Sequence, residues 1–375
     1  MSNKNQFYDL KVKDIIKETA EAVSVSFSIP TEHQELFQYE AGQYLTLRFD
    51  IDGKDVRRAY SMSSSPLDAT TTVTVKRVKN GLVSNHINSN LKAGMTVAVM
   101  PPQGKFTTKL SADQQRDFYL FGGGSGVTPL MSILKTVLEN EPKSTVRLFY
   151  GNKDENNIIF KSDLDQLEKK YEGQLEVEHI LSDPLREKPK GFTAFLKKGK
   201  ITWSGKIGVP DSSNTNAFLD THPPRSKEAI HFICGPGPMM DSVESVLLKR
   251  GVDAKGIHIE RFSSTPPQDQ VAGADTTASG GVVDGAKLKV TLDGNFIETT
   301  VPAGKNILDT LLDMKIEPPY SCTSGSCSTC MAKIRSGTVK MDACYALDDD
   351  EVEDGFILTC QAHPTSAELE INFDI

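Results

Sequence analysis

Cys322-Thr323-Ser324-Gly325-Ser326-Cys327-Ser328-Thr329-Cys330, followed after an interval by Leu358-Thr359-Cys360-Gln361, decides how the rest of this 375-residue chain is read. The spacing C-x4-C-x2-C with a distant fourth cysteine is the plant-type ligand pattern for a [2Fe-2S] cluster, in which four thiolates hold two irons. Gly325, Ser324, Ser326, Ser328 and Thr329 are small, so the backbone between the cysteines can wrap closely and turn its N–H groups towards sulfur. A structural zinc site would draw its ligands from two short pairs, commonly with histidine, whereas here one ligand stands alone and no histidine interrupts the loop. Cys322, Cys327, Cys330 and Cys360 are the expected metal ligands, and the chemistry is one-electron transfer.

Composition narrows the setting. The hydrophobic fraction is 38% and the charged fraction 25%, ordinary for a globular chain of two or three domains. Met1-Ser2-Asn3-Lys4-Asn5-Gln6 is not followed by an apolar stretch of signal-peptide type, and no apolar run approaches a membrane span, so a cytoplasmic protein is expected. Thiolates that must stay reduced to hold iron agree with that compartment. The net charge of −8 is unevenly placed: positions 284–375 hold 16 acidic and 7 basic residues, while the preceding chain is close to balance. The acidic end argues against nucleic acid as a partner and suits docking on a basic surface or plain solubility.

Upstream of the cysteines the text has two characters. Over 8–108 it is strand-like: Val23-Ser24-Val25-Ser26-Phe27-Ser28-Ile29, Tyr44-Leu45-Thr46-Leu47-Arg48-Phe49, Val73-Thr74-Val75-Lys76-Arg77-Val78 and Met95-Thr96-Val97-Ala98-Val99 alternate in polarity, and Asp52-Gly53 reads as a hairpin turn. Short strands at this spacing predict an antiparallel barrel. Inside it, Arg58-Ala59-Tyr60-Ser61 offers a guanidinium for phosphate, a ring for stacking and a hydroxyl for a ring nitrogen. Gly81, Leu82, Val83 and Ser84 form a turn that opens a short helix and presents backbone N–H groups to a pyrophosphate.

After Pro101-Pro102 strands and helices alternate. Asp117-Phe118-Tyr119-Leu120-Phe121 is an apolar strand that runs into Gly122, Gly123, Gly124, Ser125, Gly126, Val127, Thr128 and Pro129, and then a helical face of Leu130, Ile133, Leu134, Val137 and Leu138. Strand, glycine-rich turn and helix N-terminus make a phosphate cradle, although the spacing is neither G-x-G-x-x-G nor a P-loop. Further strands are expected at 145–150, 175–181, His231-Phe232-Ile233-Cys234 and Ile257-His258-Ile259, and helices at 162–171 and 241–249. This order predicts a parallel sheet with its ligand at the C-terminal strand ends, where Cys234 and Glu260-Arg261-Phe262 fall. Positions 263–286 are rich in Pro, Gly, Ser, Thr and Ala and read as a flexible linker. A hairpin turning at Asp293-Gly294 and a helix face of Ile307, Leu308, Leu311 and Leu312 precede the cysteine loop.

Together these motifs resemble the ferredoxin–NADP reductase superfamily in the form that carries a plant-type ferredoxin at its C-terminal end, and in particular the reductases of phenylacetyl-CoA epoxidase and of steroid and aromatic-ring oxygenases. The resemblance implies a multidomain β, α/β and α+β fold: an antiparallel FAD-binding β-barrel over 1–110, a parallel-sheet NAD(P)-binding domain over 111–262, the linker over 263–286 and a β-grasp [2Fe-2S] ferredoxin domain over 287–375. It implies that Arg58 holds the flavin pyrophosphate, that Tyr60 stacks on the isoalloxazine, that Ser61 meets its N5, and that Cys234 and Glu260 lie beside the nicotinamide with Phe262 packed near the flavin. Ser61, Cys234 and Glu260 are therefore the expected catalytic residues. Lys153 stands where close relatives often carry Arg, a departure that weakens the inference to a 2′-phosphate. The lean to NADPH rests on the lack of an Asp or Glu immediately after Phe149-Tyr150-Gly151 and on Lys153 as a cation within reach of a phosphate. Cys344 has no ligand role in the pattern and reads as packing. The expected activity is transfer of electrons from NAD(P)H through FAD and the cluster to an oxygenase component. A flavin belongs between the two because nicotinamide gives up two electrons together and a cluster takes one. A redox-sensing module without turnover is the alternative.

Overall fold

The computed structural model describes residues 6–187, 199–262 and 281–375. The proline- and glycine-rich stretch expected as a linker lies, over 263–280, outside the described residues. By compactness the chain divides into Met1–Asp55 with Tyr60–Phe262, and Ser263–Ile375 with Val56–Ala59.

In the first unit six strands form an antiparallel sheet: β1 (Tyr8–Thr19), β2 (Ala22–Ser28), β3 (Tyr44–Ile51), β4 (Lys54–Ser61), β5 (Thr71–Lys76) and β6 (Thr96–Gln103), in the order β4-β3-β6-β1-β2-β5. A bridge between Met62, just past β4, and Val73 in β5 joins the two ends of that order and closes the barrel. The alternating strands point Val25, Phe27, Leu45, Leu47, Val73, Val75, Val97 and Val99 inward, all buried. β1 was not legible as a strand. Its burial is confined to Leu10 and Val12, and beyond Asp14 it runs on as a largely exposed ribbon paired to β2. Between β5 and β6 lies helix α1 (Leu82–Asn90), capped by Gly81 with no side-chain partner for its first N–H groups.

The same unit continues as β7 (Asp117–Gly123), α2 (Val127–Asn140), β8 (Thr145–Asn152), α3 (Lys161–Lys170), β9 (Leu175–Leu181), β10 (Lys206–Ile207), α4 (Ser212–Thr221), β11 (Ala229–Gly235), α5 (Gly237–Lys249) and β12 (Ile257–Arg261). The strands pair in parallel in the order β10-β9-β8-β7-β11-β12. The chain leaves β7 on one side through β8 and returns on its other side through β11, so the order reverses beside β7, which is where such sheets bind ligands. β7 and β11 are buried on both faces, as their largely apolar text requires, with Asp117 and His231 the buried polar exceptions. Helix α4 escaped the sequence reading because Ser-Ser-Asn-Thr-Asn carries no apolar period. Asp211 starts it by accepting from the Asn214 amide, and only Phe218 and Leu219 anchor it deeply among apolar groups.

The second unit is a mixed sheet. Its elements are β13 (Ala286–Leu292), β14 (Asn295–Val301), α6 (Ile307–Asp313), β15 (Met331–Ser336), β16 (Val339–Met341), α7 (Asp349–Glu353), β17 (Phe356–Leu358), β18 (Ala362–Pro364) and β19 (Glu368–Asn372). The order is β14-β13-β19-β15-β17, with β16 and β18 as a separate pair. Leu288, Val290, Ile307, Leu308, Leu311, Ile357, Leu358 and Ile371 form its core, and Cys330 and Cys360 are part of the same cluster. Among the described residues no helix is long and apolar enough to cross a membrane.

Candidate redox sites

The cysteine loop of the second unit is fixed by its backbone. Thr323 and Gly325 both take left-handed φ, at 57° and 74°, which curls the chain between Cys322 and Cys327. A β-carbon on Gly325 would meet the Ala343 carbonyl oxygen at 2.7 Å, so this glycine is demanded twice, by φ and by space. The Tyr345 amide donates to Gly325 O at 2.9 Å and pins the loop from the other side. Cys360 arrives by a different route: Thr359 donates from both its amide and its hydroxyl to Cys330 O, at 3.1 and 2.9 Å.

The donor set fits a two-iron cluster. Cys327, Cys330 and Cys360 are almost fully buried, and all four candidate ligands are free thiols. Ser324 N donates to Cys322 Sγ at 3.4 Å and Cys322 N to Cys327 Sγ at 3.5 Å, the kind of N–H···S contact that favours a charged sulfur. Buried hydroxyls of Ser321 and Ser326 have no hydrogen-bond partner among the described residues, and the Ser324 side chain bonds to Cys322, which puts three hydroxyl donors in the cysteine loop. The sulfurs lie close together, Cys322 beside Cys327 and Cys360, and Cys360 also beside Cys330, and a [2Fe-2S] cluster asks for two thiolates at each iron. The neighbouring sulfur of Cys327, and then that of Cys360, hold the Cys322 thiol far below the ordinary cysteine range. Cys344 stands apart: it is half-buried against the core, and burial pushes its thiol up to about 11. Gln361 was not anticipated. Its amide reaches 3.7 Å from Cys360 Sγ and donates to Thr323 O, so it ties the lone ligand to the loop.

In the first unit the candidate residues come together by strand register. Cys234 in β11 is level with Gly122 in β7 on one side and with Glu260 in β12 on the other. From β4, the Ser61 hydroxyl donates to Glu260 Oε2 at 3.0 Å, across 199 positions of sequence. Burial raises the Glu260 carboxyl to about 8 against the opposing pull of the Ser61 hydrogen bond, so near neutral pH it carries a proton. Cys234 is fully buried, and burial with Glu260 beside it lifts its thiol well above the usual value and keeps it neutral.

Alternation along β4 divides its motif between two faces. Arg57 and Ser61 are buried, whereas Arg58 is exposed and Tyr60 half-buried on the opposite face. The arrangement separates the Ser61 hydroxyl, which faces Glu260, from the Arg58 guanidinium and the Tyr60 ring. At 81–84, the Ser84 hydroxyl accepts from the Val78 amide, closing the turn, and a β-carbon on Gly81 would meet that hydroxyl at 2.6 Å. Phe262, directly after β12, is exposed.

The glycine-rich turn has a second reason for its composition. A β-carbon on Gly126 would lie 2.1 Å from Cys234 O, and one on Gly123 would lie 2.5 Å from Pro236 Cδ and 2.7 Å from Met239 Sδ. These two glycines let the turn seat directly on the end of β11. Gly124, at φ 53°, bends the chain, and its carbonyl accepts from the Tyr150 hydroxyl at 2.9 Å. Thr128 donates to Ser125 O at 3.0 Å, inside the turn. Gly126 begins α2 with no side-chain cap, and the Val127 amide is spent inside the turn on the Gly124 and Ser125 carbonyls.

Lys76, at the end of β5, was missed. A β-carbon on Gly124 would sit 3.4 Å from its ammonium, and burial lowers its pKa despite Glu21 and Asp154 nearby. The signal in the sequence was a charge closing an alternating strand, which is too common to mark a site.

Comparison with known proteins agrees domain by domain. An oxidoreductase FAD-binding domain matches residues 9–108, an oxidoreductase NAD-binding domain 120–245 and a 2Fe-2S iron-sulfur cluster binding domain 290–365. A component of the 1,2-phenylacetyl-CoA epoxidase from Escherichia coli is 34% identical over 369 residues, 98% of each chain. The ferredoxin reductase component of 3-ketosteroid-9-alpha-monooxygenase from Rhodococcus rhodochrous is 38% identical over 97% of this chain and 96% of its own. This chain belongs to the ferredoxin–NADP reductase superfamily, in the branch with a C-terminal [2Fe-2S] domain. The fold of this reductase is that of phthalate dioxygenase reductase, with a TM-score of 0.56 and 98% of both chains covered at 24% identity. It is an oxidoreductase of the ferredoxin-reductase type whose domains bind FAD, NAD and a [2Fe-2S] cluster.

Proposed function

We propose that this reductase oxidises NAD(P)H and delivers electrons singly to an oxygenase component, of the kind served by its phenylacetyl-CoA epoxidase and ketosteroid monooxygenase relatives. The observation that carries the reading is the row Gly122, Cys234 and Glu260 at neighbouring strand ends, with Ser61 reaching it from the flavin-type barrel. In this reading the domains run 1–110, 111–262 and 287–375, with 263–286 between them.

The bound flavin supplies the conversion between a two-electron donor and a one-electron acceptor. Arg58 holds its pyrophosphate, aided by the uncapped N–H groups that begin α1 at 81–84, while Tyr60 packs on its ring. The second phosphate turn favours FAD over FMN. The turn at 122–128, the start of α2 and the Lys76 ammonium hold the dinucleotide phosphates. Cys234 gives the nicotinamide a neutral, uncharged wall. Glu260 keeps the Ser61 hydroxyl oriented and, holding a proton near neutral pH, adds no fixed charge where the ring must enter. Phe262 covers the flavin side. Four cysteines, 322, 327, 330 and 360, hold the cluster, and their need for reduced thiols supports a cytoplasmic setting.

Reduction of cytochrome c by added NADH or NADPH, in protein reconstituted with FAD and iron–sulfur cluster, tests the turnover. Transfer to the purified oxygenase tests the partner. Absence of turnover with both coenzymes would leave a redox-sensing module. Flavin released by heat should be FAD, and finding FMN alone overturns that part. Lys153 is exposed directly after β8, and Asp154 Oδ1 is taken up by the Asn156 amide and Asn157 Nδ2, so the cationic side chain is the better placed of the two to meet a 2′-phosphate. A lower KM for NADPH is expected, and equal kcat/KM for the two coenzymes would remove the preference.

A further inference from the structure

Helix α2 is buried nearly all round, yet four polar side chains on it recur at i, i+3, i+4 and i+7: Ser132, Lys135, Thr136 and Glu139. Such a stripe within a buried helix is costly unless every group finds a partner. All four make contacts with one short piece of chain, the turn at 63–68 that directly follows the Arg58-Ala59-Tyr60-Ser61 strand. Ser132 donates to Ser64 O at 2.6 Å. The Ser65 hydroxyl donates to Glu139 Oε2 at 2.7 Å, and Thr136 Oγ1 lies 3.3 Å from Ser65 Oγ while donating back to Ser132 O. Lys135 pairs with Asp68 Oδ2, and that carboxylate also accepts from the Ser65 amide. On its barrel side the turn is held by the Tyr39 hydroxyl at Ser64 and by the Ser63 and Thr74 hydroxyls, 2.8 Å apart. Ser65 and Ser132 are wholly inaccessible to solvent.

From these contacts we infer that the polar stripe of α2 is the positioning device of the hydride site, fixing the coenzyme turn against the flavin strand. The inference rests on the reading of 122–128 and 58–61 as the coenzyme and flavin sites. Ser132 lies six residues beyond Gly126, about 9 Å along a helix axis, and Ser64 lies three residues beyond Ser61. The turn, α2, the glycine-rich turn, β11, β12 and the Ser61–Glu260 hydrogen bond thus close a short ring of contacts around the place where hydride leaves the dihydronicotinamide, which is oxidised, and reduces the flavin. Apolar packing tolerates small sliding, whereas a set of directional hydrogen bonds centred on the buried Ser65, Ser132 and Thr136 admits one register. Hydride transfer is sensitive to that register, since a displacement on the order of 1 Å costs about 100-fold in rate. Ser65, Ser132, Lys135 and Glu139 touch neither ligand in this reading and act through the turn and the helix.

The test uses the FAD- and cluster-loaded full chain. Glu139 is exposed, so Glu139→Ala and Glu139→Gln fold readily, the second keeping an oxygen acceptor for Ser65. Ser132→Ala is the buried counterpart. In anaerobic single-turnover reduction by NADH and NADPH, Glu139→Ala and Ser132→Ala should lower the limiting rate about 10-fold or more. Coenzyme Kd should stay within about twofold, and Glu139→Gln should recover most of the rate. Amide hydrogen exchange, read on the same proteins without coenzyme, should quicken together in the turn at 63–68 and in the glycine-rich turn of the alanine variants. A limiting rate within about twofold of wild type, or exchange that quickens at 63–68 alone, overturns the inference. If the wild-type protein accepts electrons from neither coenzyme, the proposed function fails, and the exchange arm still decides whether the stripe couples the two turns.

Discussion

The cysteine loop and the proposed hydride site are opposite solutions to the same requirement, a rigid set of groups around a redox centre. Three of the four cluster cysteines fall within nine residues, and their geometry is written into the backbone between them by Thr323 and Gly325. The proposed hydride site is spread over Ser61, Gly122, Cys234 and Glu260, and nothing local holds it. It exists because three parallel strands end in register and a barrel strand meets them. The first site is protected against events elsewhere in the chain, and the second depends on every contact that sets the register.

Replacing one ligand breaks the comparison on its local side. Cys360→Ser should abolish the visible iron–sulfur spectrum while NAD(P)H still reduces the flavin. Cys344→Ser should keep the spectrum, and a Cys344→Ser protein without a cluster would refute the ligand assignment.

On the assembled side, the most damaging single atom is a β-carbon at Gly126, which would press on Cys234 O at 2.1 Å. Gly126→Ala should slow flavin reduction by about 100-fold, since the whole turn must lift from β11. The iron–sulfur spectrum should not change. A variant that reduced its flavin at the wild-type rate would show that the turn does not govern the site.

A finer test is pH. Glu260 titrates near 8 in the folded protein against an ordinary 4.5, so the folded state binds a proton that the unfolded chain releases. The contribution of this group to stability is therefore fully present below about 4.5 and is lost as pH rises through about 8. Glu260→Gln removes the titration, so the wild-type Tm should fall relative to that of the variant between about pH 5 and about pH 9. Parallel Tm curves would place the Glu260 proton elsewhere.

The smallest effect expected is at the surface. The acidic run at 348–354 forms the short helix α7, and Asp348 and Glu351 cap it reciprocally, while Asp349, Asp350, Glu353 and Asp354 remain exposed. Changing Asp348, Asp349 and Asp350 to Asn should slow electron transfer to the oxygenase a few-fold at low ionic strength. The difference should vanish as salt shortens the Debye length below about 10 Å. An unchanged second-order rate would leave the run a solubility feature with a helix cap inside it.

The cysteine pattern, the alternating strands and the strand–glycine turn–helix text were legible in the sequence because each is a local code: ligand spacing, a period of two, and a turn that needs glycine. β1 and α4 were not, because the first is an exposed ribbon beyond its second turn of alternation and the second is held by a cap and two apolar anchors. The alternation of strands and helices placed Cys234 and Glu260 at strand ends and family resemblance gave them and Ser61 their roles, without any means of saying which of them touch. Lys76 and the Ser132-Lys135-Thr136-Glu139 stripe gave no readable sign, since a charge at a strand end and hydroxyls on a helix are ordinary until their neighbours are known. Ligand identity and local conformation are properties of neighbouring residues and were settled by the text of the chain. Burial, proton affinity and hydrogen bonds across 60 to 200 positions arise only when the strands pair and α2 packs on the barrel turn, and these the tertiary structure decided.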